Sequence, residues 1–203
     1  MAYIDKAVES LPQAYQAAAI SALKTLEEKR HRHFDTMEIK EDGVLYPYEI
    51  SEINGWMAAF GGNGELAMLK KDGKDWLDGK MLGQLVYTTY NAKDCVNNYY
   101  SYNRAFERNQ CWSEGDFSKP GLENVEDLEH RDYTFAARKI IVSNHTVIVA
   151  LAGNPTAVQK YSCPAEAVLT YTFADKVYMS LSWKDKDAGK IPEALWIKMD
   201  VKT

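Results

Sequence analysis

Val177-Tyr178-Met179-Ser180-Leu181-Ser182-Trp183 alternates strictly, with Val177, Met179, Leu181 and Trp183 on one side and Tyr178, Ser180 and Ser182 on the other. A period of two over seven residues is the signature of a strand with one face on a core. Leu195, Ile197, Met199 and Val201 repeat it against Trp196, Lys198, Asp200 and Lys202. Toward the N-terminus, Ala136 to Val142 and Thr146 to Ala152 read as a hairpin around Ser143-Asn144-His145, with strands apolar enough to be central. Leu82 to Tyr90 is a further strand, and residues 56 to 76 form a meander turned at Asn63-Gly64 and Asp72-Gly73, where tight hairpins need positive φ. Tyr46, Tyr48 and Ile50 open the β region by the same alternation. About nine or ten strands without βαβ alternation predict a mostly β chain: an antiparallel β-sandwich of two stacked sheets.

Ahead of the strands the period is helical. Ile4, Val8, Leu11, Tyr15, Ala18, Ala22 and Leu26 make one apolar stripe, with Lys6, Gln13, Gln16 and Glu28 on the wet side. Ser10-Leu11-Pro12-Gln13 has the form of a capping box, which predicts a break near Ser10 and a second helix after it. That helix runs into Lys29-Arg30-His31-Arg32-His33, cations suited to the negative end of a helix dipole. The division expected is a helical segment over residues 1–35 and a sandwich over 36–203, interrupted by a long loop at 107–132. Lys93 to Phe106, with Val96, Tyr99, Tyr100 and Asn103 at helical spacing, is a helix inside the β region.

Composition bounds the function. The 203 residues are 46% hydrophobic and 26% charged, an ordinary globular balance that needs no disulfide support. With 24 basic against 29 acidic residues the net charge is −5, which argues against nucleic acid as a main partner because phosphate binding needs a concentrated positive field. No apolar run is long enough to span a membrane, and Met1 to Leu11 carries Asp5 and Glu9 where a secretory signal would carry a basic start, so a cytoplasmic location is expected. Cys95, Cys111 and Cys163 are odd in number and far apart, which reads as reduced thiols.

The familiar catalytic patterns fail on inspection. His130-Arg131-Asp132 matches the first letters of a kinase catalytic loop, but the asparagine is not at the right offset and no Asp-Phe-Gly follows. Gly61-Gly62-Asn63-Gly64 has no Lys-Ser/Thr behind it and reads as a hairpin turn. His31 and His33 lie on different sides of a helix with no thiol or carboxylate pair nearby, so no metal site is assigned. No Gly-x-Ser-x-Gly elbow is present. Asp116, Glu123 and Glu193 are carboxylates of the kind glycosidases pair, but the separation a pair needs is not given by spacing in a β protein, and a solvated acidic loop is the preferred reading. Trp112, Trp183 and Trp196 offer flat apolar faces that stack on sugar rings and that also serve as ordinary sheet residues.

Four segments carry a resemblance: Asn63-Gly64-Glu65-Leu66 with Lys71-Asp72-Gly73-Lys74-Asp75-Trp76; Leu82-Gly83-Gln84-Leu85-Val86-Tyr87-Thr88-Thr89-Tyr90; Asp116-Phe117-Ser118-Lys119-Pro120-Gly121-Leu122-Glu123; and Ile191-Pro192-Glu193-Ala194-Leu195-Trp196. Together they resemble the C-terminal half of α-mannosidase-like proteins related to glycoside hydrolase family 38. The resemblance implies the end of that family's helical segment followed by its galactose-mutarotase-like supersandwich. It implies no catalytic residue here, because the family's nucleophilic aspartate and zinc ligands lie in an α/β barrel absent from these residues. Zinc is expected only in that missing domain, and no cofactor or metal in this chain. The function implied is a noncatalytic region that supports the barrel, in cis or in trans, and contacts glycan. Trp112, Asp116, Lys119, Glu193 and Trp196 are the residues expected on the face that meets the barrel or its carbohydrate. A stand-alone sugar-binding or protein-interaction sandwich is the alternative. A mutarotase-type enzyme, a third reading, would need His130 or His145 facing a glutamate in a sheet concavity.

Overall fold

The computed structural model describes residues 2–26, 43–103, 112–113, 115, 118–184 and 186–200, and the chain divides into two compact units, Met1–His33 and Phe34–Thr203. The first holds α1 (Ala2–Glu9) and α2 (Gln13–Leu26), separated where Pro12 cannot donate a helical hydrogen bond. Ser10 closes α1 instead of capping α2: its N–H and its hydroxyl both donate to the Lys6 carbonyl, at 3.1 and 2.7 Å. The capping box expected over Ser10–Gln13 is therefore not formed, and Gln16 Nε2 reaches back to the Leu11 carbonyl at 2.9 Å. The basic run from Lys29 with His31 and His33, Cys111 and the candidate Asp116 lie outside the described residues.

The second unit is mostly β, with two sheets whose strand pairs are all antiparallel. The smaller sheet orders β1 (Gly43–Leu45), β8 (Ala136–Ser143), β9 (Thr146–Ala152), β10 (Glu166–Phe173) and β11 (Val177–Lys184). The larger orders β12 (Glu193–Met199), β6 (Leu82–Thr89), β4 (Leu66–Lys71), β3 (Trp56–Phe60) and β2 (Ser51–Ile53), with β5 (Lys74–Asp75) on β4 and β7 (Arg131–Thr134) on β6. Positive φ at Asn54-Gly55 and Asp72-Gly73 turns the hairpins β2–β3 and β4–β5, the conformation that asparagine, aspartate and glycine tolerate best.

One core joins the two sheets. Phe60, Leu66, Leu85 and Tyr87 from the larger pack with Val149, Leu151, Leu169 and Tyr171 from the smaller, all essentially without solvent contact. The Phe60 and Tyr171 rings meet across the interface at 5.2 Å between centroids. Burying side chains of this size removes roughly 1.5–3 kcal/mol each of exposed apolar surface, which makes this interface the chief support of the fold.

Three segments depart from the expectation. Tyr46 to Ile50 is a turn: Pro47 cannot donate to a ladder, Tyr48 has φ of 64°, and the Glu49 side chain and main chain both close on Tyr46. The loop expected to run to 132 already contains β7, which adds to β6 beyond the single Leu66–Leu82 pairing with β4. Pro155–Lys160 forms the short helix α4, opened by Asn154, whose side chain accepts from the Thr156 and Ala157 N–H groups. The expected helix after residue 92 is present as α3 (Ala92–Tyr102).

Candidate functional site

The end of β6 gathers side chains from four separate parts of the chain. Register places Val86 and Thr88 of β6 beside Trp196 and Ala194 of β12 and beside Thr134 and Asp132 of β7, so these six share the face of the larger sheet turned away from the core. Lys198 follows Trp196 on the same face. Thr88 Oγ1 donates to Asp132 Oδ1 at 2.6 Å, and Lys198 Nζ donates to Asp132 Oδ2 at 2.8 Å. Trp196, half-exposed, borders a hollow of about 320 Å³ that Thr88, Tyr90, His130, Asp132 and Lys198 also line.

His130 links that hollow to the start of α3. Its Nδ1 meets Asp94 Oδ1 at 3.0 Å, and a carboxylate, which only accepts, selects the tautomer with the proton on Nδ1. Its ring lies 5.2 Å from that of Tyr90. Asp94 is placed by a capping box: Asn91 Oδ1 accepts from the Asp94 N–H at 3.1 Å while Asp94 Oδ2 accepts from the Asn91 N–H at 2.9 Å. A second cavity, about 620 Å³, lies here between Tyr90, Asp94, Cys95, Lys119, His130 and Pro192. A third, about 690 Å³, shares Lys119 and Pro192 with it and extends to Lys190, Glu193 and Gly121. The three hollows follow one another through these shared lining residues, Tyr90 and His130 and then Lys119 and Pro192, and are together called the trough.

Charge in the trough is organised by hydrogen bonding. Lys198, then Thr88, hold the Asp132 carboxyl below the ordinary carboxylate range against the opposing effect of burial. For Asp94, burial raises the carboxyl, but the Asn91 N–H and His130 outweigh it and the net direction is down. Glu193 turns inward instead: its carboxylate accepts from the Tyr87 hydroxyl and from Lys186 Nζ. Burial, and after it the bond to Glu193, pushes the Tyr87 hydroxyl strongly upward. Burial also pushes the nearby Cys163 thiol up to about 12. Among the described residues, no group of three or more His, Cys, Asp or Glu side chains is placed to hold a metal ion, and no helix is long and apolar enough to cross a membrane.

A protein-family model described as a domain of unknown function, DUF5054, matches residues 1–179. The chain belongs to that family. No curated protein and no solved structure matches it. The DUF5054 match takes in Thr88, Tyr90, Asp94, Lys119, His130 and Asp132 and stops ahead of β12, which supplies Trp196 and Lys198.

Of the five positions singled out in the sequence of this DUF5054 member, Lys119, Glu193 and Trp196 border the trough. Trp112 is exposed and is not among its lining residues, and Asp116 lies outside the described residues. Thr88, Tyr90, Asp94 and Lys198 were not foreseen. Asn91-Ala92-Lys93-Asp94 is legible as a helix start, and period-two spacing puts Lys198 with Trp196, but nothing local brings Asp94 to His130, 36 residues apart in sequence. The kinase-like triplet is resolved by its partners: His130 goes to Asp94, and Asp132 to Thr88 and Lys198.

Proposed function

We propose that this chain is the noncatalytic sandwich region of an α-mannosidase-like glycoside hydrolase, which supports a catalytic α/β barrel and contacts carbohydrate along the trough at the end of β6. The observation that carries the reading is the pairing of a half-exposed indole, Trp196, with a fixed polar set, Thr88, Asp132 and Lys198, in one hollow. Sugar rings present an apolar C–H face and a rim of hydroxyls. A flat aromatic takes the first, and a carboxylate and ammonium already held in place take the second with little ordering cost. The accessory role draws support from the first unit, where α2 has no buried side chain and Tyr15 and Leu26, on one side of that helix, are both exposed and so open to a partner.

Calorimetric titration of the full chain with α-linked mannotetraose tests the carbohydrate contact. Saturable binding is expected, weakened about tenfold by Trp196→Ala, the roughly 1.4 kcal/mol of one stacked ring. Trp183→Ala, which removes an exposed indole from the smaller sheet, leaves it unchanged. Equal loss in both variants, or none in Trp196→Ala, overturns the assignment of the site.

A further inference from the structure

We infer that the Lys119–Lys190 end of the trough is a subsite for an acidic group carried on the sugar, a carboxylate or a phosphate. This deepens the carbohydrate reading and rests on it. The chain has more acids than bases, and six of its lysines are matched by a carboxylate within 4 Å: Lys70, Lys80, Lys160, Lys184, Lys186 and Lys198. Lys119 and Lys190, like Lys6, Lys24, Lys93 and Lys176, are not among the paired lysines, and they are set apart by their place. Among the described residues neither has an ion pair or a side-chain hydrogen bond, and both line the same cavity of about 690 Å³.

The acid that shares this cavity does not offset them. Glu193 is engaged from behind by Lys186 and the Tyr87 hydroxyl. The neighbouring Glu123 accepts from the Gly121 N–H at 2.9 Å. Two lysines therefore line a hollow in which the carboxylate of Glu193, the one acid among its described lining residues, is already engaged by an ammonium, a field that favours an anion over a hydroxyl. The segment bearing Lys119 is held by its backbone. Lys119 has φ of 55°, its carbonyl accepts from the Leu122 N–H at 3.2 Å, and Leu122 is buried behind it. Lys119 also lines the middle cavity with Tyr90 and His130, which border the Trp196 hollow in turn. The shared lining residues thus link the Trp196 hollow to the two lysines through Tyr90, His130 and Lys119.

The test compares three ligands on the full chain by calorimetry: neutral α-1,2-linked mannotetraose, the same tetraose oxidised at C6 to the uronate, and its C6 phosphate ester. At least one acidic form is expected to bind about tenfold more tightly than the neutral one, which is 1.4 kcal/mol and within reach of two exposed charge pairs. The advantage should shrink as salt rises from about 0.02 to about 0.5 M. A Lys119→Gln/Lys190→Gln double variant should lose the preference, so that it binds the acidic and neutral forms equally. A gain confined to the uronate or to the phosphate identifies which acidic group the subsite takes. Neutral sugar bound with no acidic preference, or a preference that survives the double variant, overturns the inference and leaves the carbohydrate reading standing. Binding of none of the three overturns both.

Discussion

Replacing Gly64 with alanine tests the packing of the two sheets on which the trough is built. Gly64 lies in the β3–β4 turn with φ of 82°, and a methyl group there would sit 2.6 Å from Leu151 Cδ2 and 2.7 Å from Val149 Cγ1 on the opposite sheet. Both neighbours belong to the buried core and have little room to retreat. The left-handed backbone costs an alanine roughly 1–2 kcal/mol. Overpacking adds about 1–3 kcal/mol, and the stiffer unfolded chain returns about 0.4–1 kcal/mol, so Gly64→Ala should destabilise by about 1–5 kcal/mol. Gly73→Ala is the control: its φ is 76°, but a methyl there meets nothing within 4 Å, so only the backbone cost applies. Urea unfolding of the two variants, with equal denaturant slopes, should separate them by about 1–3 kcal/mol. A separation below about 0.5 kcal/mol, the spread of ordinary surface substitutions, would refute the close approach of this turn to β9.

Lys186→Met should lower stability by about 1–3 kcal/mol in the same assay, between the value of an exposed pair and that of a buried one, because it leaves the Glu193 carboxylate with little solvent and one fewer partner; an unchanged midpoint would show that the pair is idle. Asp94 has a carboxyl held below its ordinary value of 3.8 in the folded chain, so it contributes stability above that value which is lost as pH falls through the folded value. Thermal unfolding of Asp94→Asn should accordingly lose less stability than the wild type between about pH 5 and about pH 2, and equal losses would contradict the His130 and Asn91 contacts. Cys163 is buried with its thiol pushed up to about 12, so mass-resolved alkylation at pH 8 should leave it unmodified until the domain opens; labelling faster than global unfolding would refute its burial.

The trough shows how far local reading extends. Trp196 was legible as an outward residue because β12 alternates, and the structure keeps Leu195 and Ile197 against the core and Trp196 outside. Lys119 and Glu193 drew notice from the segments that carry them, but the orientation of Glu193 toward Tyr87 and Lys186 follows from the register Glu193–Thr89, which no local pattern specifies. The Tyr46 to Ile50 alternation misled because a period of two does not register Pro47, whose missing N–H breaks the ladder. β7 has only four residues, two of them charged, and is a strand because the edge of β6 is there to receive it.

What the sequence determines by itself is therefore the β class, the helical lead, the hairpin turns and the alternation of β11 and β12, since these follow from side-chain period and from the φ angles that glycine, asparagine and proline permit. Only the tertiary structure decides that Asp94 meets His130, that Asp132 lies between Thr88 and Lys198, and that Lys119 and Lys190 share one cavity. Those meetings depend on strand order and register across residues 88 to 198, and long-range pairing is set by the packing of the whole core and not by any segment read alone.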